Sequence, residues 1–227
     1  MADEHIIRLL GTCGILASQL MNLSAVPSLF QIVSAKSTLS YPSFPIVIGL
    51  TNAIHNIFYA LSRGNDFVIY SSLMSFLINA VFLVVHLRFS QSRPSILREL
   101  VYFPLLTTAI SLVFISSQTG LEPCMHMWNS THCFRENSHV LGIISTMAAT
   151  MSYCGQLSSF GRIVRTKNSS SISPWMTAGV ALRASCWFMY SYLIGDWFYL
   201  TSTSIGLLSA TTQTFLLILY PRIRKLD

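Results

Sequence analysis

The sequence predicts an all-α integral membrane protein, with seven transmembrane helices arranged as two parallel three-helix repeats joined by a linker helix. Three observations lead there. The 227 residues are 52% hydrophobic and only 10% charged, with a mean hydropathy of +0.56. That is far more apolar side chain than one soluble core of this size needs. Charged residues gather in short intervals between long uncharged stretches, each near the roughly 20 residues with which a helix crosses about 30 Å of hydrocarbon. Finally, the later part of the chain repeats the earlier part in one gapless register.

The uncharged stretches place spans at 7–32, 43–62, 67–87, 100–117, 139–160, 174–194 and 197–219. The first follows an acidic rather than basic opening and is long enough to span, so it reads as a membrane helix and not as a cleavable signal. The intervals between spans alternate in charge. Lys36, then Arg88, Arg93 and Arg98, then Arg162, Arg165 and Lys167, and finally Arg222, Arg224 and Lys225 fall on one side, which the positive-inside rule makes cytoplasmic. The N terminus is then outside or lumenal, and the tail "YPRIRKLD" is cytoplasmic. These loops account for a net charge of +6 and a pI near 9.2, so basicity is no argument for nucleic acid.

The longest connection, "SSQTGLEPCMHMWNSTHCFRENS", falls on the outer side and holds a sequon at Asn129 between Cys124 and Cys133. An outer-face sequon is an acceptor for a glycan, and the two cysteines read as a disulfide in an oxidising compartment. With His126 and His132 they form an alternative metal-ligand set. Those ligands crowd one short loop without the second pair that fixes a structural metal, so no metal is assigned. Cys13, Cys154 and Cys186 lie inside spans and read as small packing residues.

The repeat register lays "AKSTLSYPSFP" on "TKNSSSISPWM" and, without a gap, Tyr59 on Tyr190, Gly64 on Gly195 and Ser71 on Ser202. The first three spans and the last three are therefore the repeat units, and the fourth joins them. A single joining helix makes both units enter the membrane from the same side. Parallel repeats of this kind pair about an axis along the membrane normal and leave a site between them near the midplane. The domain boundaries that follow are 1–90 for the first repeat, 91–138 for the linker helix and outer loop, 139–221 for the second repeat and 222–227 for the tail.

Three helices, a linker and three more, with a Lys-Ser-Thr-like turn after the first helix of each unit, resemble the SWEET (MtN3/saliva) sugar transporters. The most specific part, "SFGRIVRTKNSSSISPW" with "CWFMYSYLIGDWF", is similar to the family's second-repeat pattern of a Thr-Lys-Ser turn, a Trp-x-x-Tyr and an Asp before the last helix. "PSLFQIVSAKSTLSYPSFP" matches the first-repeat pattern. In that family a tryptophan or small polar residue on the second helix of each unit, and an asparagine on the third, face the sugar. An aromatic face stacks on pyranose C–H groups while amides bond the hydroxyls. The resemblance thus implies Trp187 and its repeat mate Asn56 as substrate-binding residues. The asparagine positions hold Ser72 and Thr203, which are shorter and have one donor fewer. They are assigned to the site, the alternative being that small hydroxyl residues sit where membrane helices pack closely.

One turn before Trp187 stands Arg183, in an otherwise uncharged run from Ser169 to Ile194, and its mate Asn52 likewise stands four residues before Asn56. Residues four apart share a helix face, so both join the substrate-binding set. Arg183 is either structural, bonding helix-end carbonyls or Ser185 through water, or it offers a forked, permanently charged donor to an anionic substrate. Asp66, Glu99 and Asp196 all sit at span ends, so no acidic residue lies inside a predicted span to neutralise it.

The resemblance also implies gates and hinges. Tyr59 and Tyr190, nearer the outer end, and Asp196 match residues that close the outer entrance, where Arg63 is placed to pair with Asp196. An interfacial aromatic belt is the alternative for the tyrosines. Hinge prolines stand in the family's first, second, fifth and sixth helices, each removing a backbone hydrogen bond. Here Pro45 matches, Pro27 lies two residues past the matching Ala25, Pro174 lies next to the matching Ser173, and Gln156 holds the fifth-helix position. A helix-end role is the alternative for Pro27 and Pro174.

The expected function is facilitated, bidirectional passage of a small polar solute by alternating access, with a mono- or disaccharide as the substrate that the resemblance implies. The chain has no phosphate-binding glycine loop and no intramembrane carboxylate for an ion relay. No cofactor and no catalysis are expected, because His55, His86 and His139 are scattered and no acid, base and nucleophile share a helix face. The partners are the solute and the bilayer, with a homo-oligomer left open and nucleic acid excluded. Two alternatives stand beside this reading: a carrier of a small anion or zwitterion that uses Arg183, and a receptor or scaffold that keeps the fold without a transport cycle.

Overall fold

A computed structural model describes residues 4–24, 26–38, 43–90, 93–119, 138–169 and 174–220, and every regular element among them is helical. The expected glycan at Asn129, the Cys124–Cys133 pair and the basic tail lie outside the described residues. In chain order the helices are α1 (Glu4–Leu23), α2 (Val26–Ala35), α3 (Phe44–Arg63), α4 (Asp66–Phe89), α5 (Arg93–Leu100), a π-helical segment (Val101–Leu105), α6 (Leu106–Thr119), α7 (Ser138–Thr166), α8 (Pro174–Ile194) and α9 (Trp197–Leu219).

Among the described residues five stretches are long and apolar enough to cross a membrane: Glu4–Ala35, Phe44–Arg63, Asp66–Phe89, Arg93–Val113 and Trp197–Leu219. The more polar α7 and α8 run for 29 and 21 residues; at 1.5 Å per residue the shorter is about 31 Å long, the thickness of the hydrocarbon core. Leu9, Phe30, Val84, Val113, Leu208 and Ile218 are each at least 64% exposed, a load of bare apolar surface that belongs against lipid rather than water. Lys36, Arg88, Arg93, Arg98, Arg165 and Lys167, on which the charge asymmetry rests, are not buried either.

Two of the spans are interrupted, each for a reason the sequence contains. The first is two helices. Pro27 has no N–H to offer the carbonyl of Leu23 and disfavours helical geometry just before it, so α1 ends there. Ser24 closes it, its N–H donating to Leu20 O at 3.0 Å and its hydroxyl to Met21 O at 2.6 Å. The fourth span begins at Arg93, earlier than expected, and carries Pro104 in its π-helical segment. The Leu106 N–H reaches back to the carbonyl of Val101, five residues away. This widened turn takes up the missing bond and the bulk of the proline ring.

The chain separates into two compact units, one of residues 25–148 and one of residues 1–24 with 149–227. In the first, Val47 and Leu50 of α3, Leu83 of α4 and Ile96 of α5 form a buried cluster, closed by an edge-to-face contact of Phe44 with Phe103 at 5.5 Å. In the second, α8 packs against both α1 and α9, and Ile163 of α7 and Leu216 of α9 are buried together with Phe160, Leu217 and Tyr220.

The repeat is written into the backbone. Lys36 and Lys167 have φ of 49° and 50°, and Gly64 and Gly195 have φ of 63° and 69°, so each left-handed pair consists of repeat mates. Both glycines end a helix the same way. Gly64 N–H donates to Leu61 O and Asn65 N–H to Ala60 O (3.3 and 3.0 Å), while Gly195 and Asp196 bond Tyr192 O and Ser191 O (3.2 and 3.0 Å). This closure requires a left-handed residue, which glycine supplies without steric penalty. The next residue then starts the following helix in each case: the side chain of Asn65 accepts the Val68 N–H and that of Asp196 the Tyr199 N–H, at 3.3 and 3.1 Å.

Candidate functional site

In the unit of residues 1–24 and 149–227, Trp187 is 3% exposed and sets the geometry around it. Its indole N–H donates to the Ser18 hydroxyl of α1 at 2.9 Å, and that hydroxyl donates in turn to Gly14 O at 2.8 Å. The ring lies directly on Gly14, where an added Cβ would stand 2.8 Å from Trp187 Cε2. Tyr190 and Tyr199 meet the indole edge-on at 5.5 and 5.6 Å, a favoured aromatic arrangement. Thr203 is buried beside this cluster. Its hydroxyl donates to Tyr199 O at 2.9 Å and lies 3.4 Å from the Ser191 hydroxyl, which itself donates to Trp187 O.

Arg183 stands at the tenth residue of the 21-residue α8, about 13 Å of helix rise from its start. Its three-methylene stem falls short of the headgroups from there. Its Nη2 donates to the Tyr153 hydroxyl of α7 at 3.3 Å. That phenol is itself fixed, because its oxygen sits where a Cβ at Gly206 of α9 would come within 2.5 Å. The ionisable groups beside Arg183 are Tyr153 and Tyr199, phenols rather than carboxylates. Arg8 pairs with Glu4 at the exposed start of α1, away from this position. Arg183 is therefore a half-buried cation with a neutral partner, in a position that costs at least about 2.5–3.5 kcal/mol on membrane-insertion scales.

The unit of residues 25–148 holds a different polar arrangement. Asn56 Nδ2 donates to Asn52 Oδ1 at 3.1 Å, and Ser145 Oγ of α7 donates to Asn56 Oδ1 at 2.6 Å. The three side chains form a directional ladder from α7 onto α3. Ser72 of α4 is buried in the same unit. His55, 1% exposed, has Nδ1 at 2.8 Å from Thr51 O; since a carbonyl only accepts, Nδ1 carries the proton. The backbone of Thr107 in α6 is the other main-chain group acting on the ring.

The repeat register relates the two arrangements. Positions 14 and 145 are mates, as are 56 and 187, so the Gly14–Trp187 contact and the Ser145–Asn56 contact are the same contact with different chemistry. In one the large aromatic takes the space that glycine vacates, and in the other a serine hydroxyl fills the gap beside a shorter amide.

The remaining expected residues fall as follows. Tyr59 and Tyr190 are 2% and 4% exposed, so neither side chain faces lipid as an aromatic belt would. Asp196 is buried at the cap of α9, while Arg63 is exposed in the last turn of α3, in the other unit. Pro45 and Pro174 are the second and first residues of α3 and α8, where a proline starts a helix rather than interrupting one. Pro27 follows the break between α1 and α2. Gln156 lies in α7, its side chain outside the described residues. The sequence reading did not single out Gly14, Ser18, Ser145, Tyr153 or Tyr199. A signal for the first two exists: Gly11, Gly14, Ala17 and Ser18 are the buried residues of α1, and small residues at three- and four-residue spacing mark a close helix interface.

The fold and these side chains define a class: a multi-pass, all-helical membrane protein of two three-helix repeats, with polar groups held inside its helix packing. Residues 8–94 and 139–225 each match the MtN3_slv family, described as "Sugar efflux transporter for intercellular exchange", and the chain belongs to that family of transporters. The second match begins and ends at the repeat mates of the first, the same register as the left-handed turns. The chain is 24% identical over 223 residues to the bidirectional sugar transporter SWEET12 of Oryza sativa subsp. japonica, covering 98% of this chain and 71% of the relative. It is 21% identical over 225 residues to SWEET9 of Arabidopsis thaliana, covering 99% and 83%. The 3.7 Å structure of a eukaryotic SWEET transporter matches with a TM-score of 0.77 at 16% identity, over 95% of this chain and 96% of that one. The architecture is accordingly seven transmembrane helices in a three, one and three arrangement.

Proposed function

We propose that the protein passes a mono- or disaccharide across its membrane in both directions by facilitated transport, the two repeats alternating access to the solute. The observation that carries this reading is the double family match in the register of the duplicated turns, because a carrier built on paired repeats needs both of them intact. Asn52, Asn56 and Ser72 on one side of the repeat, and Trp187 and Thr203 on the other, are the residues assigned to the sugar. The Asn52–Asn56–Ser145 ladder supports the assignment: its amides present oriented, uncharged donors and acceptors of the kind that suit hydroxyl groups. Tyr59, Tyr190, Arg63 and Asp196 are assigned to gating, and the helix break before Pro27 to a hinge. The exposed cations support a cytoplasmic C terminus and an outer or lumenal N terminus. The repeat boundaries at 1–90 and 139–221 follow from the same register.

Counterflow in proteoliposomes tests the reading. Vesicles preloaded with unlabelled glucose or sucrose should accumulate the labelled sugar transiently, and Asn56→Ala, which removes the middle of the ladder, should slow that exchange. Saturable sugar binding without trans-stimulation marks a receptor and overturns the transport reading, as does the absence of both.

A further inference from the structure

A neutral sugar explains the amide ladder but gives no reason for Arg183. We propose that Arg183 selects a sugar acid, a polyol ring bearing one carboxylate such as a hexuronate, over the corresponding neutral hexose. The inference rests on the assignment of the solute site above and names the substrate class of that site.

Four observations converge. The guanidinium is the intramembrane charge of α8 and bonds, through Nη2, a neutral phenol at 3.3 Å. The phenol is wedged against Gly206, so the arginine is anchored at one corner while the rest of its planar fork stays suited to a bidentate carboxylate. Trp187 is one turn away on the same face of α8, with Tyr190 and Tyr199 set edge-on to it. Finally, the repeat mate of Arg183 is Asn52, which the other unit ties neutrally to Asn56. The two repeats thus differ in charge at this position, and the cation stands one turn from the tryptophan assigned to the sugar. The nearest carboxylate in α8's own unit along the chain, Asp196, is committed to capping α9.

The experiment is competition and counterflow with purified protein in proteoliposomes, using glucuronate, glucuronamide, glucose and lactate. Glucuronamide keeps the shape of glucuronate without its charge. Because charge-assisted hydrogen bonds are about twice as strong as neutral ones, glucuronate should compete at least about tenfold better than glucuronamide or glucose. Arg183→Gln should abolish that preference while thermal stability shows the variant folded. Should the variant fail to fold, the comparison of glucuronate with glucuronamide on the unaltered protein decides alone. Equal competition by the two overturns the proposal, and so does lactate competing as well as glucuronate, which would mean that the polyol contributes nothing. Glucose counterflow without a uronate preference leaves sugar transport standing and removes the sugar acid. Uronate binding without any counterflow supports the role of Arg183 and removes the transport cycle.

Discussion

Replacing Gly14 by alanine adds one methyl group to α1, and the structure sets the sign of its effect. In an ordinary helix interior the change stabilises by roughly 0.5–1 kcal/mol, because glycine loses more backbone freedom on folding. At position 14 the new carbon would stand 2.8 Å from Trp187 Cε2 and 3.0 Å from Cδ2, closer than carbon atoms approach without displacement. The obstacle is the body of a buried ring rather than the tip of a flexible chain. Swinging the indole aside breaks its bond to Ser18, worth about 0.5–1.5 kcal/mol. It also disturbs edge contacts with Tyr190 and Tyr199 that are worth about 0.5–1.5 kcal/mol each. Overpacking of this kind costs typically about 1–3 kcal/mol, which exceeds the helix gain. Gly179 is the matched control: it lies within α8 and a Cβ there meets nothing within 4 Å, so Gly179→Ala should be neutral or stabilising by up to about 1 kcal/mol. The assay is thermal unfolding of both variants in the same detergent, where each kcal/mol moves Tm by about 2–4 °C for a chain of this size. If Gly14→Ala melts at or above Gly179→Ala, the packing of Trp187 on α1 is wrong.

Two further substitutions probe single bonds. Ser18→Ala leaves the buried Trp187 indole N–H without its acceptor, and should destabilise by about 1–3 kcal/mol in the same melt; an unchanged Tm would show that the indole finds another partner. Asp196→Ala removes a cap that is 3% exposed, and should cost about 1–2 kcal/mol, whereas Asp196→Asn, which keeps an acceptor for the Tyr199 N–H, should recover most of it. Failure of asparagine to rescue would assign the carboxylate a role other than capping.

The spans were legible because a bilayer imposes a coarse rule, about 20 apolar residues per crossing, that composition cannot hide. The duplication was legible because it preserves register, and Gly64 and Gly195 proved to be the same left-handed turn. The positive φ of Lys36 and Lys167 was not, since lysine is an unusual occupant of that region; only their shared place in the repeat marks them. The break before Pro27 follows from a proline that the sequence shows. The π-helical segment around Pro104 does not, because a five-residue bond has no counterpart in the hydrophobic pattern. Of the residues proposed for the site, Trp187 and Asn56 were marked by the family resemblance, and Arg183 and Asn52 by standing four residues before them. Their partners were not. Ser18 lies 169 residues from Trp187 and Ser145 lies 89 from Asn56, and a small residue meeting a distant side chain leaves no local trace. Thr203 shows the complementary limit: its register points to the site, yet its hydroxyl donates within its own helix to Tyr199 O and Leu200 O.

Facilitated passage in both directions is the central claim, and it has a direct kinetic signature. Initial rates of labelled sugar influx and efflux should be measured in proteoliposomes with the membrane potential and pH gradient present, then with both collapsed. The account predicts that each direction is accelerated by unlabelled sugar on the opposite side and that, for a neutral sugar, neither rate changes when the gradients collapse. Accumulation of sugar against its own gradient, lost when the proton gradient is dissipated, would contradict it.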